Sequence, residues 1–281
     1  MNRNLQFLAS QPYDLIIVGG GFFGICAAWD AVQRGLSVAL IEQGDWSAAT
    51  SANHFRMIHG GIRYLQHGDV YRVRESSYER SALLRVAPHL VHPLPIVIPT
   101  YGHGMKGKEI LSAGMALYDL ITLDRNRGIP DPKRHIPPGR AVSRQEILSL
   151  YPDIPSQGLT GAAIFHDGQT YNPARLGLAF LKSAVEAGAQ AANYLEAVEF
   201  LRQGDRVVGV KAWDRLGNQE VTIRGRMVLN TAGPWAPALL RDTLDIRLDP
   251  TPTFSRDACF IVKKKLVGDH ALTVLGKTKD P

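Results

Sequence analysis

A chain of 281 residues, 45% hydrophobic and 21% charged, can bury a large core, so one or two folded domains are expected and a disordered or fibrous chain is excluded. The net charge of +6 favours an acidic partner, such as a phosphorylated substrate or anionic lipid, while the lack of a long basic block argues against nucleic acid. Cys26 and Cys259 stand far apart in apolar segments, outside any CxxC or metal-type cluster, which suits a reducing compartment.

Residues 15–18, Leu-Ile-Ile-Val, are too continuously apolar for a half-exposed strand and predict a buried parallel one. Gly19-Gly20-Gly21-Phe22-Phe23-Gly24 follows at once and fits G-x-G-x-x-G. In that pattern Gly19 permits the tight turn, Gly21 lets a pyrophosphate approach the backbone, and Gly24 lets the next helix press on the sheet. The helix N-terminus offers unpaired N–H groups and a partial positive charge, worth roughly 0.3–2 kcal/mol to a phosphate. Gly35 ends the helix, residues 37–41 make a second strand, and Glu42 sits at its tip. A carboxylate there can accept hydrogen bonds from both ribose hydroxyls of an adenosine and disfavours a 2′-phosphate, so FAD or NAD is expected rather than NADP.

Beyond Glu42 the chain does not return directly to a third strand. It runs through Gln43 and small polar residues to Thr50-Ser51, then reads His54-Phe55-Arg56-Met57-Ile58-His59-Gly60-Gly61-Ile62-Arg63-Tyr64-Leu65. Small residues followed by paired glycines suit close passage over a flat ligand and its phosphates. His59, Arg63 and Tyr64 flank those glycines, where they could face an anion; an ordinary surface loop is the alternative.

Thr50-Ser51, the segment IHGGIRYL, the later YERSALLRVAPHLVHPLP and the still later TAGPW together resemble the FAD-dependent glycerol-3-phosphate dehydrogenases, within the D-amino-acid-oxidase-like flavoproteins. The likeness runs over nearly the whole chain, and IHGGIRYL is its most specific piece. The resemblance implies FAD as cofactor. It assigns the adenosine and pyrophosphate to Gly19, Gly20, Gly21, Phe22, Phe23, Gly24, Glu42, Gln43, Thr50 and Ser51. It also sets His59, Gly60 and Gly61 beside the isoalloxazine, and gives the substrate phosphate to Arg63 with help from Tyr64.

Farther on, residues 69–86 read as a helix with Val73, Ser77 and Leu84 inward and Arg and Glu outward. The Pro-spaced run HLVHPLPIVIP reads as an extended strand. Residues 109–123 form a strongly apolar helix between basic residues, which is either core or a segment dipping into an anionic membrane surface. Residues 128–157 are Pro-rich, with a short helix capped by Ser143. A helix over 174–187 follows Asn172-Pro173, where members of the family usually have Asp-Asp. Then come a strand over 192–198, whose Val198 lies against the adenine in the family, and an antiparallel meander of strands 206–213 and 219–224. A buried strand over 227–230 ends in the turn Thr231-Ala232-Gly233, a second small-residue approach to the cofactor.

The expected fold is α/β: a Rossmann-like FAD-binding domain (10–90 and 160–240) interrupted by a mostly antiparallel α+β substrate domain (91–159 and 241–281). The resemblance implies oxidation of sn-glycerol 3-phosphate, a small phosphorylated alcohol, to dihydroxyacetone phosphate, with a quinone as electron acceptor. Family members carry a histidine, a candidate base, near the strand corresponding to 254–262. Here that stretch reads FSRDACFIV, leaving Asp257 as the substitute. A related oxidase or dehydrogenase of an amine or amino acid, with Arg63 on a carboxylate, and a non-catalytic flavin-binding protein are the alternatives. The N-terminal residues lack the apolar core of a signal peptide and no run reaches the ~18–20 apolar residues that span a bilayer. A cytoplasmic protein is expected, with peripheral contact at the inner face of the cytoplasmic membrane and a homo-oligomer left open. After Trp235 only a helix over 236–241 and strands near 258–262 and 270–275 are expected, so the chain reads as lacking the last return to the FAD domain.

Overall fold

The computed structural model describes residues 3–103, 107–255, 258–263 and 268–273. Its strands begin with β1 (Tyr13–Val18), β2 (Val38–Ile41), β3 (Met57–Ile58), β4 (Val91–Tyr101), β5 (Arg140–Ser143) and β6 (Leu159–Thr170). They continue with β7 (Gln190–Ala192), β8 (Leu195–Gln203), β9 (Arg206–Asp214), β10 (Gln219–Asn230) and β11 (Ala271–Leu272). The helices are α1 (Leu5–Ala9), α2 (Phe22–Gln33), α3 (Val70–Val86), α4 (Lys108–Ile121), α5 (Arg144–Leu150), α6 (Pro173–Glu186) and α7 (Ala236–Leu244). The chain forms two units, one of Met1–Phe55 with Asn172–Cys259, the other of Arg56–Tyr171 with Phe260–Pro281.

The first unit is a six-stranded sheet in the order β7-β2-β1-β10-β9-β8. The apolar run of β1 has a parallel partner on each side, β2 and β10, as its lack of alternation requires. β10 does the work of two expected strands. Residues 219–224 pair antiparallel with β9, then the strand continues from Gly225 as the parallel neighbour of β1. Gly225 makes this possible, because a side chain there would press on Ile16 at 2.9 Å. The strand expected over 192–198 is instead broken into β7 and β8, with Tyr194 at φ +52° between them.

One face of this sheet carries Ile16, Val18, Ile41, Leu195, Phe200 and Val210 in a buried cluster; the other packs Ile17 and Leu40 beneath α2 and α6. Ile25 and Ala28 of α2 meet Leu181 and Ala184 of α6, and Phe180 stands edge-on to Phe22 and Trp29 at 5.8 and 5.1 Å. Pro173 opens α6, where its missing N–H costs nothing, and the Asn172 side chain accepts from Arg175 N.

The second unit is built on a sheet in the order β11-β4-β6-β3, with β5 also on β6. Pro93, Pro95 and Pro99 are odd-numbered like Val97, whose carbonyl accepts from Thr273, so their nitrogens face away from β6 and leave that ladder its donors. Residues 56–90, expected in the cofactor domain, cluster here because β3 pairs with the end of β6 and α3 packs on β4 and β6. The stretch 258–262 is irregular chain rather than the expected strand. On α3, Val73, Ser77 and Leu84 are buried as expected, but Arg80, expected outward, is the largest fully buried side chain among the described residues.

Candidate functional site

In the first unit the site grows from the end of β1. Gly19 adopts φ +114°, which L side chains rarely tolerate, and a Cβ there would lie 2.6 Å from the Thr231 carbonyl oxygen. Gly24 sits where a Cβ would overlap the carbonyl oxygen of Gly19, so α2 crosses β1 at backbone contact. Thr231 N donates to Val18 O at 2.8 Å, bringing the second turn against the first. Asn230 Oδ1 accepts from Ala232 N at 3.1 Å, and Gly233 at φ +56° opens the short 3₁₀ turn Gly233–Trp235.

Gly21 provides no side-chain cap for α2, and Phe22 N donates instead to Ser51 Oγ at 2.9 Å. The Ser51 hydroxyl thus stands at the helix N-terminus, on the 3₁₀ turn Ala49–Ser51 that also contains exposed Thr50. Glu42 follows β2 and its carboxylate accepts from Gly20 N at 2.6 Å and Gly44 N at 2.7 Å. Each carboxylate oxygen keeps a further lone pair, so a carboxylate held this way can still accept ribose hydroxyls. Gln43 is exposed and meets Arg215 Nη2 at 3.5 Å, while Phe23 is almost wholly exposed. Val198 falls at a bulge of β8 that the pairing with β9 skips, and is partly exposed.

The glycine cradle, the helix start and the oriented acid fit a dinucleotide: phosphate oxygens at the α2 N-terminus, ribose at Glu42. The steric test is sharp at Gly19 and Gly24 and milder at Gly21, where a Cβ would meet Ser51 Oγ at 3.1 Å.

In the second unit, His59, Gly60 and Gly61 follow β3, and Arg63 and Tyr64 lie on the 3₁₀ turn Ile62–His67. Gly61 takes φ +82°, which turns the chain over α3, where Ser76 Cβ leaves no room for a side chain. Gly60 is tighter still: a Cβ would overlap Arg80 and Tyr118. Its N–H donates to Asp167 Oδ1 at 2.6 Å and its carbonyl accepts from the Tyr118 hydroxyl at 2.8 Å. Asp167 Oδ1 also receives Arg80 Nη1 at 2.7 Å, and Asp167 Oδ2 lies 3.2 Å from His59 Nδ1.

The His59 side chain is 68% exposed although its partner Asp167 is only 3% exposed. Its pKa stands above the ordinary 6.5, chiefly through the hydrogen bond to Asp167; partial burial and the charge of Arg63 oppose the rise. Burial pushes the Tyr118 phenol up and the neighbouring His166 imidazole down. Arg63 is exposed, and the Arg72 guanidinium lies 5.7 Å from the centre of the Tyr64 ring. His59 and Arg63 are therefore electrostatic neighbours. Asp257 lies outside the described residues. Asp167, Arg80 and Tyr118 escaped the sequence reading, although Asp167 belongs to the AspGlyGln of GAAIFHDGQTYNPARL, two residues beyond an apolar run.

The family described as FAD dependent oxidoreductase matches residues 14–272. The chain belongs to that family. FAD is accordingly the cofactor that the cradle of the first unit is suited to hold. Among curated relatives, this FAD-dependent oxidoreductase is 38% identical over 237 residues to a glycerol-3-phosphate dehydrogenase of Synechocystis, covering 83% of this chain and 41% of the relative. It is 34% identical over 235 residues to an alpha-glycerophosphate oxidase of Streptococcus pyogenes, covering 83% and 37%. Among solved structures, the glycerol-3-phosphate dehydrogenase from Bacillus halodurans complexed with FAD superposes with a TM-score of 0.62 at 26% identity, over 85% of this chain and 38% of that one. The chain thus spans about two-fifths of the length of these relatives.

Proposed function

We propose that this flavoprotein oxidises sn-glycerol 3-phosphate to dihydroxyacetone phosphate and passes the electrons to a quinone. The observation that carries the reading is the nearness of exposed Arg63 to His59 on the IHGGIRYL segment, in a chain 38% identical to a protein named glycerol-3-phosphate dehydrogenase. Arg63 presents a guanidinium fork that matches a phosphate, and Tyr64 beside it adds a hydroxyl. His59, with Nδ1 turned to Asp167, presents Nε2 to take the proton of the substrate's secondary hydroxyl. Gly19, Gly21, Gly24 and Glu42 bind the dinucleotide, with Ser51, Thr231, Ala232 and Gly233 at its phosphates. FAD, when bound, supplies the two-electron acceptor.

The test is anaerobic bleaching of the flavin by a substrate panel. Glycerol 3-phosphate should bleach it, and glycerol and amino acids should not. Bleaching by an amino acid alone would transfer the role of Arg63 to a carboxylate and overturn the phosphate reading. Because relatives include a protein named as an oxidase, reoxidation is followed with both a quinone and oxygen, and faster reoxidation by oxygen would remove the quinone.

Peripheral contact with an anionic membrane surface is part of the same reading. The observation that favours it is a row of exposed apolar residues along and just after α4, at Ile110, Leu117, Leu120 and Leu123, close to exposed Arg127. Among the described residues no helix is long and apolar enough to cross a membrane. Sedimentation with vesicles rich in phosphatidylglycerol should carry the protein down, and Leu120→Asp with Leu123→Asp should leave it in the supernatant. Equal sedimentation of both would remove the membrane role from α4.

A further inference from the structure

The Asp167 carboxylate ties together three elements. Oδ1 receives the Gly60 N–H at 2.6 Å and Arg80 Nη1 at 2.7 Å, and Oδ2 faces His59 Nδ1 at 3.2 Å. Arg80 is wholly buried and donates from the same Nη1 to the His166 carbonyl at 3.1 Å, so it cannot turn away without losing both partners. With the Gly60 N–H and Arg80 Nη1 both donating to it, the Asp167 carboxylate serves its neighbours as an acceptor. An acceptor oxygen opposite Nδ1 places the imidazole proton on that nitrogen, since a bare Nδ1 would set two lone pairs against each other. The neutral ring then has its free lone pair on Nε2, on the exposed side of a side chain that is 68% accessible.

We propose that Asp167 is the positioning residue for His59, presenting Nε2 as the proton acceptor, and that Arg80 fixes Asp167 in that task. This rests on the reading of His59 as the group that takes the substrate's hydroxyl proton. The carboxylate has a second consequence, because the oxygen beside the one on His59 holds the Gly60 N–H: the ring and the backbone of the paired glycines share one support. The charged and titratable groups facing His59 are Asp167 from β6, Arg63 from the turn Ile62–His67, and, across the carboxylate, Arg80 from α3 and Tyr118 from α4. Of these Asp167 alone offers an acceptor to Nδ1. A purely architectural Asp167, serving only Gly60 and Arg80, would place no demand on the tautomer of His59.

The experiment labels the FAD-loaded protein with ¹⁵N-histidine and reads the ring nitrogens of His59 by long-range ¹H–¹⁵N correlation, with the signal assigned by its loss in His59→Gln. Read at a pH above the raised folded value of His59, the expected result is a neutral ring protonated on Nδ1 with a bare Nε2 in the wild type. In Asp167→Asn the Nε2–H tautomer should gain population. The rate of flavin reduction should fall on the order of 10²–10⁴-fold with KM within about threefold of wild type. A wild-type ring protonated on Nε2 overturns the proposal, as does an Asp167→Asn protein whose KM rises while the rate is unchanged. If Asp167→Asn fails to fold, the wild-type tautomer alone decides. If the tautomer is as expected but glycerol 3-phosphate does not bleach the wild-type flavin, the substrate reading fails and the role of Asp167 stands.

Discussion

The Thr231 hydroxyl lies 3.0 Å from the carbonyl oxygen of Val18 and 2.9 Å from that of Gly19, so the residue that follows β10 donates to the end of β1 at the glycine turn. Replacing Thr231 with Val keeps the shape and removes the donor. A hydrogen bond of this kind contributes about 0.5–1.5 kcal/mol, and the Gly19 carbonyl loses this donor while the Val18 carbonyl keeps the Thr231 N–H. Thr231→Val should therefore lower the urea midpoint and the FAD content after gel filtration together. An unchanged midpoint with full flavin would show that the backbone bond from Thr231 N is sufficient.

Glu42 is held by two backbone N–H groups before any ligand arrives, so its substitution has a structural and a binding consequence. Glu42→Gln retains one acceptor oxygen and should keep the fold while weakening FAD. Glu42→Arg puts a cation against two N–H donors and removes the ribose acceptor, and should abolish flavin retention. Flavin absorbance per mole of protein, read beside the circular dichroism spectrum, separates the two effects. Full flavin in Glu42→Arg would remove Glu42 from the adenosine site.

Arg63 is exposed, so in the proposed phosphate role it would contribute as a hydrogen-bonded charge in a partly wet setting, roughly 1.5–3 kcal/mol. Arg63→Ala should raise KM for glycerol 3-phosphate by about 10- to 150-fold, and Arg63→Lys should recover part of it, because one ammonium lacks the fork. Flavin content should stay at the wild-type level in both. A KM that does not move with either change would place the phosphate elsewhere.

The His59–Asp167 contact has a definite sign in pH. Because the hydrogen bond to Asp167 raises the folded-state pKa of His59 above 6.5, protonated His59 stabilises the fold. That contribution is complete below the unfolded value and is lost as pH rises through the raised folded value. Proton acceptance needs the neutral ring, so the rate of flavin reduction should increase over the same interval in which stability falls. In His59→Gln both trends should disappear. A rate that increases with pH on an inflection below 6.5 would contradict the geometry at Nδ1.

The arrangement of β1, the glycine turn, α2 and Glu42 was legible because its parts are local. Strand, glycines, helix and acid lie within thirty residues of one another, and Gly24 answers a contact with Gly19 inside the turn itself, whereas Gly19 and Gly21 answer Thr231 and Ser51 from farther along the chain. The continuity of β10 was not legible, since Gly225 reads as a break until Ile16 is seen to occupy its missing side chain. Nor was the support beneath the paired glycines. Asp167 lies 108 residues from His59, and the two meet only because β3 pairs with the end of β6. Arg80 was misread for a related reason: helical periodicity places charge outward by default, and only a buried carboxylate from a distant strand reverses the preference. Ser51 was assigned to phosphate by resemblance, and the contact it makes with Phe22 N is one that sequence spacing does not encode.

The parallel pairing of β1 with β10 has a temporal meaning. Tyr13 meets Gly225 and Val18 meets Asn230, so β1 leaves the ribosome well before its partner, about two hundred residues downstream. At a synthesis rate of 5–20 residues per second the wait is about 10–40 s, long against local hairpin or helix formation. Through that interval the Leu-Ile-Ile-Val strand is paired at most on the β2 side, and its other edge is open to whatever extended chain it meets. Until β10 is made, that open edge is a place where β1 can pair with the wrong strand.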